Sequence, residues 1–515
     1  MSKPKTFRPW NPEQTLLLPP SPVEWLPEQH LVFFLLDLIA DLDLSAIVAV
    51  YEQRDPRGVK AYDPRMMVVL LLYAYCVGIP SSRRIERACW EDAAFRVLTG
   101  NQQPDHSRIS DFRRVHLDAL TGLFVQVLRL CQKAGLVNLG TVALDGTKIK
   151  ANASKHKAMS HKRMLKAEAQ LEEEIAALLR KAELIDAQED QRYGKSKRGD
   201  ELPKELRRRQ DRIQVLRKAK AELEAEAAAD HARQRERKAR CAERQAAEAQ
   251  ASANEATAQA EAAKIRANAA RRARAARQRA EAAKALALQK AEAAGQPIPD
   301  LEPQIDPQAM PSRNLPTNAA GEVKGKAQRN FTDPDSHILK GGDGWIQGYN
   351  CQMAVDGAHQ VIVAVGISNQ ASDTPHLLPM LERILSNTGQ LPDKLLADAG
   401  YCSTDTIEGC EQRQLDAYIS TGRQRHGKRP RPSRGPAPRD LDARGRMDRK
   451  IRSKAGQAIY ALRKIIAEPV FGQIKAARGL DRFLLRGTEK TFGELNLMAI
   501  THNLLKLYRA ALNRP

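Results

Sequence analysis

The spacing of apolar residues divides the chain into blocks of different character. From Leu31 to about Val137, apolar clusters recur at three- and four-residue intervals and are interrupted at Asp55-Pro56, Pro80 and Pro104, which predicts a run of short helices. Within that run, PSSRRIERACWEDAAFRVLTG reads as a helix pair, and PDHSRISDFRRVH offers Ser107 as the N-cap of a short basic helix. Helix, turn and basic helix suit a DNA groove, although purely structural helical domains share the pattern. The period changes at TVALDGTKIK (141–150), apolar and β-branched up to Leu144, then acidic, then glycine: a strand ending at a site. GWIQGYNCQMAVDG and HQVIVAVGISN, separated by a turn at Asp356-Gly357, predict a hairpin. A helix from His376 to Leu385, a buried strand from Lys394 to Ala397 and another strand from Leu415 to Ile419 follow, and helix resumes from Ala455 to about Ala510.

Between the first strand and the hairpin the pattern is of another kind. Leu171, Ile175, Leu178, Ala182 and Ile185 form a short heptad seam, with a weaker one at Leu206, Ile213, Leu216 and Leu223. Of the 74 residues from Ala221 to Ala294, 32 are alanine and most others are Glu, Arg, Lys or Gln. High helix propensity with little to bury predicts long, largely solvated helices, either a dimerisation or DNA-reaching arm or a tolerated insertion. The expected organisation is therefore an extended Pro-rich arm (1–30), a helical N-terminal domain suited to DNA (31–137) and the first strand of an α/β core (138–155). An Ala/Glu/Arg-rich helical insertion (156–295), a Pro/Asn/Gly-rich linker (296–335) and the remainder of the core (336–510) complete it.

Charge narrows the choice of partner. The 515 residues carry a formal net charge of +21, which favours a polyanion, nucleic acid before an anionic membrane surface. Residues 423–454 hold 13 basic and 3 acidic residues among four prolines and three glycines, and read as a phosphate-contacting loop with Lys428, Arg429 and Arg431 at its centre. Arg83 and Arg84 on the helix pair and Arg113 and Arg114 on the basic helix are the other expected DNA contacts. Seven cysteines without a C-x-x-C argue against a disulfide framework or a zinc ribbon, and His156 and His161 lack a cysteine pair to complete a zinc site. The N-terminus has no hydrophobic signal core, and the longest apolar run, Met66–Ile79, has 14 residues where a membrane span needs about 20. A cytoplasmic protein without a membrane segment is expected. No G-x-x-x-x-G-K-[ST] loop is present, so no nucleotide cofactor is expected.

The acidic residues at element ends are the candidate chemistry. Asp145 closes a strand beside Gly146, Asp398 closes KLLADAGY ahead of Ala399-Gly400, and Glu468 lies in IIAEPVFGQIK. Pro469 cannot continue a regular helix, which predicts Glu468 at a kink or at the cap of a new helix. Lys475, two turns further on the same face, is expected to reach a phosphate. Metal-dependent phosphodiester cleavage calls for carboxylates on rigid elements, although lone acidic residues at strand ends are often simple turn formers. Asp343 and Asp373 read as turn and helix-cap residues, and Trp345 as core rather than a base-stacking platform.

LDGTKIKANAS, LLADAGY and EPVFGQIK, in this order, closely resemble the acidic motifs of DDE transposases from bacterial insertion sequences. YDPRMMVVLLLYAYCVGIPSSRRIERACWED resembles the helical N-terminal domain of one branch of them, so that the resemblance covers about 30–155 and 335–510. It implies an RNase H-like mixed sheet flanked by helices, with an all-α N-terminal domain; the long, coiled-coil-like helical insertion lies outside it. It implies Asp145, Asp398 and Glu468 as the catalytic, metal-binding triad, two Mg²⁺ per site with Mn²⁺ able to substitute, and double-stranded DNA (element ends and target) as partner. A homodimer or larger synaptic assembly in the bacterial cytoplasm, nucleoid-associated when bound to DNA, follows in the same way. The branch's last motif of Tyr, Arg, Glu and Lys fits Tyr460, Arg463, Glu468 and Lys475, with one extra residue between Arg463 and Glu468. On a continuous helix that residue turns Arg463 about 140° from Glu468 and leaves Lys464 on the glutamate's face. Either Pro469 re-phases the helix or Lys464 replaces Arg463. Two other readings compete: a non-catalytic DNA-binding or scaffold protein derived from a transposase, and an RNase H-like nuclease.

Overall fold

The computed structural model describes residues 21–52, 61–193, 204–252, 259–301, 306–342, 344–422, 433, 438 and 441–513. The apolar N-terminal block forms α1 (Leu31–Leu38), α2 (Ser45–Glu52), α3 (Pro64–Cys76), α4 (Ser82–Glu91), α5 (Ala93–Leu98), α6 (His106–Val115) and α7 (Leu117–Lys133). The long apolar run is α3: Asp63 caps it by accepting from the Arg65 N–H at 2.7 Å, Pro64 occupies its first turn, and Met67 to Cys76 are all buried. Among the described residues, no helix is long and apolar enough to cross a membrane. The cap of α6 differs from expectation. Asp105 accepts from the Ser107 and Arg108 N–H groups at 2.9 and 3.1 Å, because Ser107 already lies inside the first turn and its hydroxyl turns back to the same carboxylate.

The core is a mixed sheet. Its strands are β1 (Thr141–Lys150), β4 (His337–Gly341), β5 (Gly344–Asp356), β6 (Ile362–Ser368), β7 (Lys394–Ala397) and β8 (Asp416–Ile419), while β2 (Ala158–Ser160) and β3 (Gln328–Asn330) pair separately. β5 is antiparallel to β1 on one side. On its other side it pairs with β4 along its first half and β6 along its second. β7 then lies parallel to β1, and β8 parallel to β7. At Gly348 an added Cβ would stand 2.3 Å from the Ile149 carbonyl oxygen, so only glycine lets β5 approach β1 there. Around the sheet stand α11 (Leu377–Thr388), α12 (Thr404–Gln412), α13 (Ala443–Arg452), α14 (Lys454–Gly472) and α15 (Thr488–Leu512).

The insertion between β2 and β3 forms α8 (His161–Tyr193), α9 (Lys204–Ser252) and α10 (Gln259–Ala293). The first half of α9 packs on α8 through Met164, Leu171, Ile213, Leu216 and Leu223, with Ile175 partly buried beside them. Ala182, Ile185 and Leu206 of the predicted seams lie outside the described side chains. The second half of α9 runs antiparallel to α10, as the pairing of Glu224 with Lys290 and of Glu236 with Arg277 requires, and their contact is built from Ala228, Ala229, Ala232, Ala283 and Ala287. The segment expected as a plain linker contributes structure. Leu315 and Ala327 join the α8–α9 core, and Arg329 pairs with Glu222 and Glu226 of α9 at 2.8 Å each.

α15 joins the N-terminal helices to the sheet and is buried along most of its length. Glu494, fully buried, accepts from the N–H groups of Leu484 and Leu485 and from the Tyr75 hydroxyl. Arg113 donates to that hydroxyl at 3.1 Å and to the Pro80 carbonyl at 2.9 Å, and is only 3% exposed. This corrects the expectation of a DNA contact at Arg113: the guanidinium is an interior counter-charge for Glu494. Arg113→Ala leaves a buried carboxylate without its cation, and thermal unfolding is expected to show a loss of about 3–5 kcal/mol. A variant as stable as the wild type would remove Arg113 from the core.

Candidate active site

The parallel pairing of β1 with β7 builds the site. Leu144 is matched with Ala397, so the next residues, Asp145 and Asp398, emerge side by side where β7 stops and β1 continues. Asp145 accepts from its neighbour's Gly146 N–H at 2.9 Å through Oδ1 and from Arg463 at 2.8 Å through Oδ2. Asp398 accepts from the Gly400 N–H at 2.8 Å, which holds the turn after β7. The Asp145 and Arg463 side chains are 15% and 13% exposed. Burial pushes the Asp145 carboxyl up to about 6; Arg463 opposes the rise and Asp398 adds to it. Burial works against the Arg463 charge, but Asp145, Tyr460, Asp398 and Glu468 together hold its pKa above the ordinary guanidinium value.

α14 runs on through Pro469 to Gly472, correcting the expectation of a new helix starting there. The change of phase comes just after, in a π-helical turn at Gln473–Ala477. Within continuous α14 Arg463 faces the sheet while Lys464 and Glu468 are both exposed, so Arg463 and Glu468 stay on different faces and Lys464 does not take over Arg463's place. Glu468 is close enough to Arg463 to add to its field. Tyr460 is half-buried beside Arg463 and Ser420. Lys475 reaches β1 two residues beyond Asp145, donating to the Thr147 hydroxyl and the Lys148 carbonyl at 3.2 Å each.

Asp145 and Asp398 are thus brought together and Glu468 is not: among the described residues no three His, Cys, Asp or Glu side chains stand close enough to hold a metal ion. Two adjacent carboxylates are suitable hard donors for a divalent cation. Here a guanidinium meets their charge, with Arg463 occupying Oδ2 of Asp145, while Glu468 is exposed and adds only to the field at Arg463. Of the expected DNA contacts, Arg83 and Arg84 are exposed on α4, and Arg114 is exposed and paired with Asp111. Lys428, Arg429, Arg431 and Asp343 lie outside the described residues.

Sequence reasoning underrated Asp373. Its side chain caps no helix. Its Oδ1 accepts from Asn350 at 2.7 Å, Gln352 at 2.9 Å and Lys148 at 3.2 Å, and the Tyr401 hydroxyl donates to Gln352. Cβ atoms added at Gly146 and Gly400 would stand 3.1 and 3.3 Å from the Asp373 carboxylate, so it packs against the glycines that follow both aspartates. The overlooked signal was a pair of amides, Asn350 and Gln352, at alternate positions of a strand buried along most of its length, where burial demands partners. Trp345, expected in the core, is 61% exposed near the start of β5.

Comparison with known families identifies this architecture. Residues 323–504 match the family described as Transposase DDE domain, and residues 21–115 match the Transposase domain (DUF772). The two matches span a little over half of the chain and define a nuclease-type enzyme whose DDE domain has an RNase H-like fold. More particularly, the chain belongs to the DDE transposases, with the domain arrangement typical of insertion-sequence enzymes. The DDE match begins beyond Asp145, because the helical insertion separates β1 from the other core strands. No curated protein and no solved structure matches the chain.

The raised Asp145 has a consequence for stability. Its carboxyl titrates near 6 in the fold against an ordinary 3.8, so the fold favours the protonated form. That stabilisation is fully present below about pH 4 and is lost as pH rises through about 6, amounting to about 2–3 kcal/mol. Urea unfolding from about pH 4 to 7 is expected to show this decline in the wild type but not in Asp145→Asn. Parallel stability profiles for the two proteins would contradict the shift.

Proposed function

We propose that the protein binds the terminal inverted repeats of an insertion sequence and catalyses metal-dependent DNA strand cleavage and strand transfer, with Asp145, Asp398 and Glu468 as its catalytic carboxylates. The observation that carries this reading is the side-by-side presentation of Asp145 and Asp398 on parallel strands beneath Arg463, in a chain with a transposase DDE domain. Asp145 and Asp398 would hold a divalent ion, Mg²⁺ with Mn²⁺ able to substitute and two per site, and Glu468 would complete the set. When bound, such ions supply Lewis-acid polarisation of the phosphate oxygens.

In cleavage a water oxygen bonds to phosphorus at the element's end and the 3′ oxygen leaves, freeing a 3′-hydroxyl. In transfer that hydroxyl attacks a phosphorus of the target strand and expels its 3′ oxygen. One phosphodiester forms as one breaks, so no nucleotide cofactor is needed. Arg463, once released from Asp145, can pair with a phosphate of the bound strand, and Lys475 offers a second cation on the other side of Asp145. The α1–α7 domain, through Arg83, Arg84 and Arg114, and the basic segment with Lys428, Arg429 and Arg431 would hold the duplex. Joining two ends in concert calls for a homodimer or larger assembly, acting in the bacterial cytoplasm at the nucleoid.

The test is cleavage of a labelled duplex carrying the element's end, with binding measured in the same tubes. Wild-type protein is expected to nick it in Mg²⁺, and Asp398→Ala to lose roughly 1,000-fold or more of that rate while still binding. Equal cleavage by both would exclude Asp398 from the site. Tight binding without cleavage in either Mg²⁺ or Mn²⁺ would sink the enzymatic reading in favour of a scaffold.

A further inference from the structure

We infer that the distal half of the α9–α10 hairpin is an arm that grips duplex DNA along its phosphate backbone, at a distance from the carboxylate site. The inference rests on the transposase reading and assigns part of its DNA surface to a segment outside both matched families.

The hairpin is anchored at its base. Glu224 joins His161 of α8 to Lys290 of α10, Arg329 pairs with Glu222 and Glu226, and Arg235 donates to the Ala319 carbonyl. Beyond this point the helices hold each other. Ala239, Ala273 and Ala280 are buried, and Glu236, 2% exposed, receives Arg240, Arg277 and Lys284 at 3.2, 2.7 and 3.2 Å. That one carboxylate draws three cations inward. Arg237, Lys238, Arg271, Arg272, Arg274 and Arg279 remain on the outer faces, all exposed and without a carboxylate partner among the described residues. At 100° per residue the four arginines of α10 fall within an arc of about 160°, opposite the buried alanines. From Glu236 to Ser252 the arm reaches roughly 24 Å.

A dense, unpaired cationic face on a rigid helix pair fits a polyanion. A second copy of the chain would bring the same charge against it, and Ile265 is the large hydrophobic exposed on this stretch among the described residues. A membrane-surface helix needs a free apolar face, whereas here the alanine face is consumed by the hairpin. Duplex DNA needs only the charge.

The experiment measures binding of the full-length protein to a duplex of arbitrary sequence by fluorescence anisotropy between about 50 and 200 mM salt. The variant R271Q/R272Q/R274Q/R279Q is expected to flatten the slope of log affinity against log salt by about 3–4, with helicity by circular dichroism unchanged. A control, R207Q/R208Q/R212Q/K218Q, neutralises as many exposed cations on the other half of α9 and is expected to change it by less than about 1. An unchanged slope in the arm variant overturns the inference, as does an equal drop in both variants. Loss of binding to anionic phospholipid vesicles with an intact DNA slope also overturns it and reassigns the face to a membrane. If wild-type protein binds and cleaves an element end while the arm variant keeps its slope, only the arm fails; if wild-type protein binds no duplex, the transposase reading fails with it.

Discussion

The register of β1 against β7 is the constraint on which the site depends. Once Leu144 is matched to Ala397, two aspartates remote in sequence must emerge side by side, and their repulsion must be answered. Arg463 answers it from α14, and Lys475, in the π-helical turn that follows α14, braces the same strand. On the opposite side, glycines after each aspartate leave room for Asp373 and its amide partners. Charges and packing on both sides of the sheet thus converge on one short stretch of β1.

The second organising element is α15. Its Asn503 side chain accepts from the Ile362 N–H and donates to the Ile362 carbonyl, both at 2.8 Å, treating the edge of β6 as another strand would. That contact falls beside the β5–β6 register shift between Ala354 and Val355, and the amide satisfies backbone groups that β6, paired on one side only, presents at its free edge. On other faces of the helix, Arg478 donates to Thr501 at 2.8 Å and Glu494 gathers Tyr75 and Arg113. The N-terminal helices and the sheet share this helix and are packed on it as one body.

What could be read in advance follows from which signals are local. β1, the β5–β6 hairpin and β7 were legible because period-two patterning and turn residues are written in adjacent positions. Asp398 was legible as a strand-end acid, whereas β1 runs past Asp145 to Lys150 because its pairing with β5 continues, so that acid sits mid-strand. The family motifs brought the two into one list, and their adjacency is a property of strand pairing, which no local pattern carries. The misreadings share a cause. Pro469 was read from propensity alone, yet Ile466, Ala467 and Val470 are buried and hold the helix through it to Gly472. Arg113 looked like a surface cation because its partner Glu494 lies far along the chain. Asp373 looked like a cap because its partners sit on two other strands.

The small ladder between β2 and β3 gives the insertion its standing in the molecule. His161 N–H bonds to the Ala327 carbonyl at 2.8 Å and Lys162 N–H to Gly325 at 3.1 Å, so the chain leaves the body and returns to it at touching positions. Topologically the three long helices are a side branch grafted onto a closed stem. Loop-closure cost rises by only about 0.6 kcal/mol for each doubling of length, so such a branch can lengthen or shorten over evolutionary time with little penalty to the trunk.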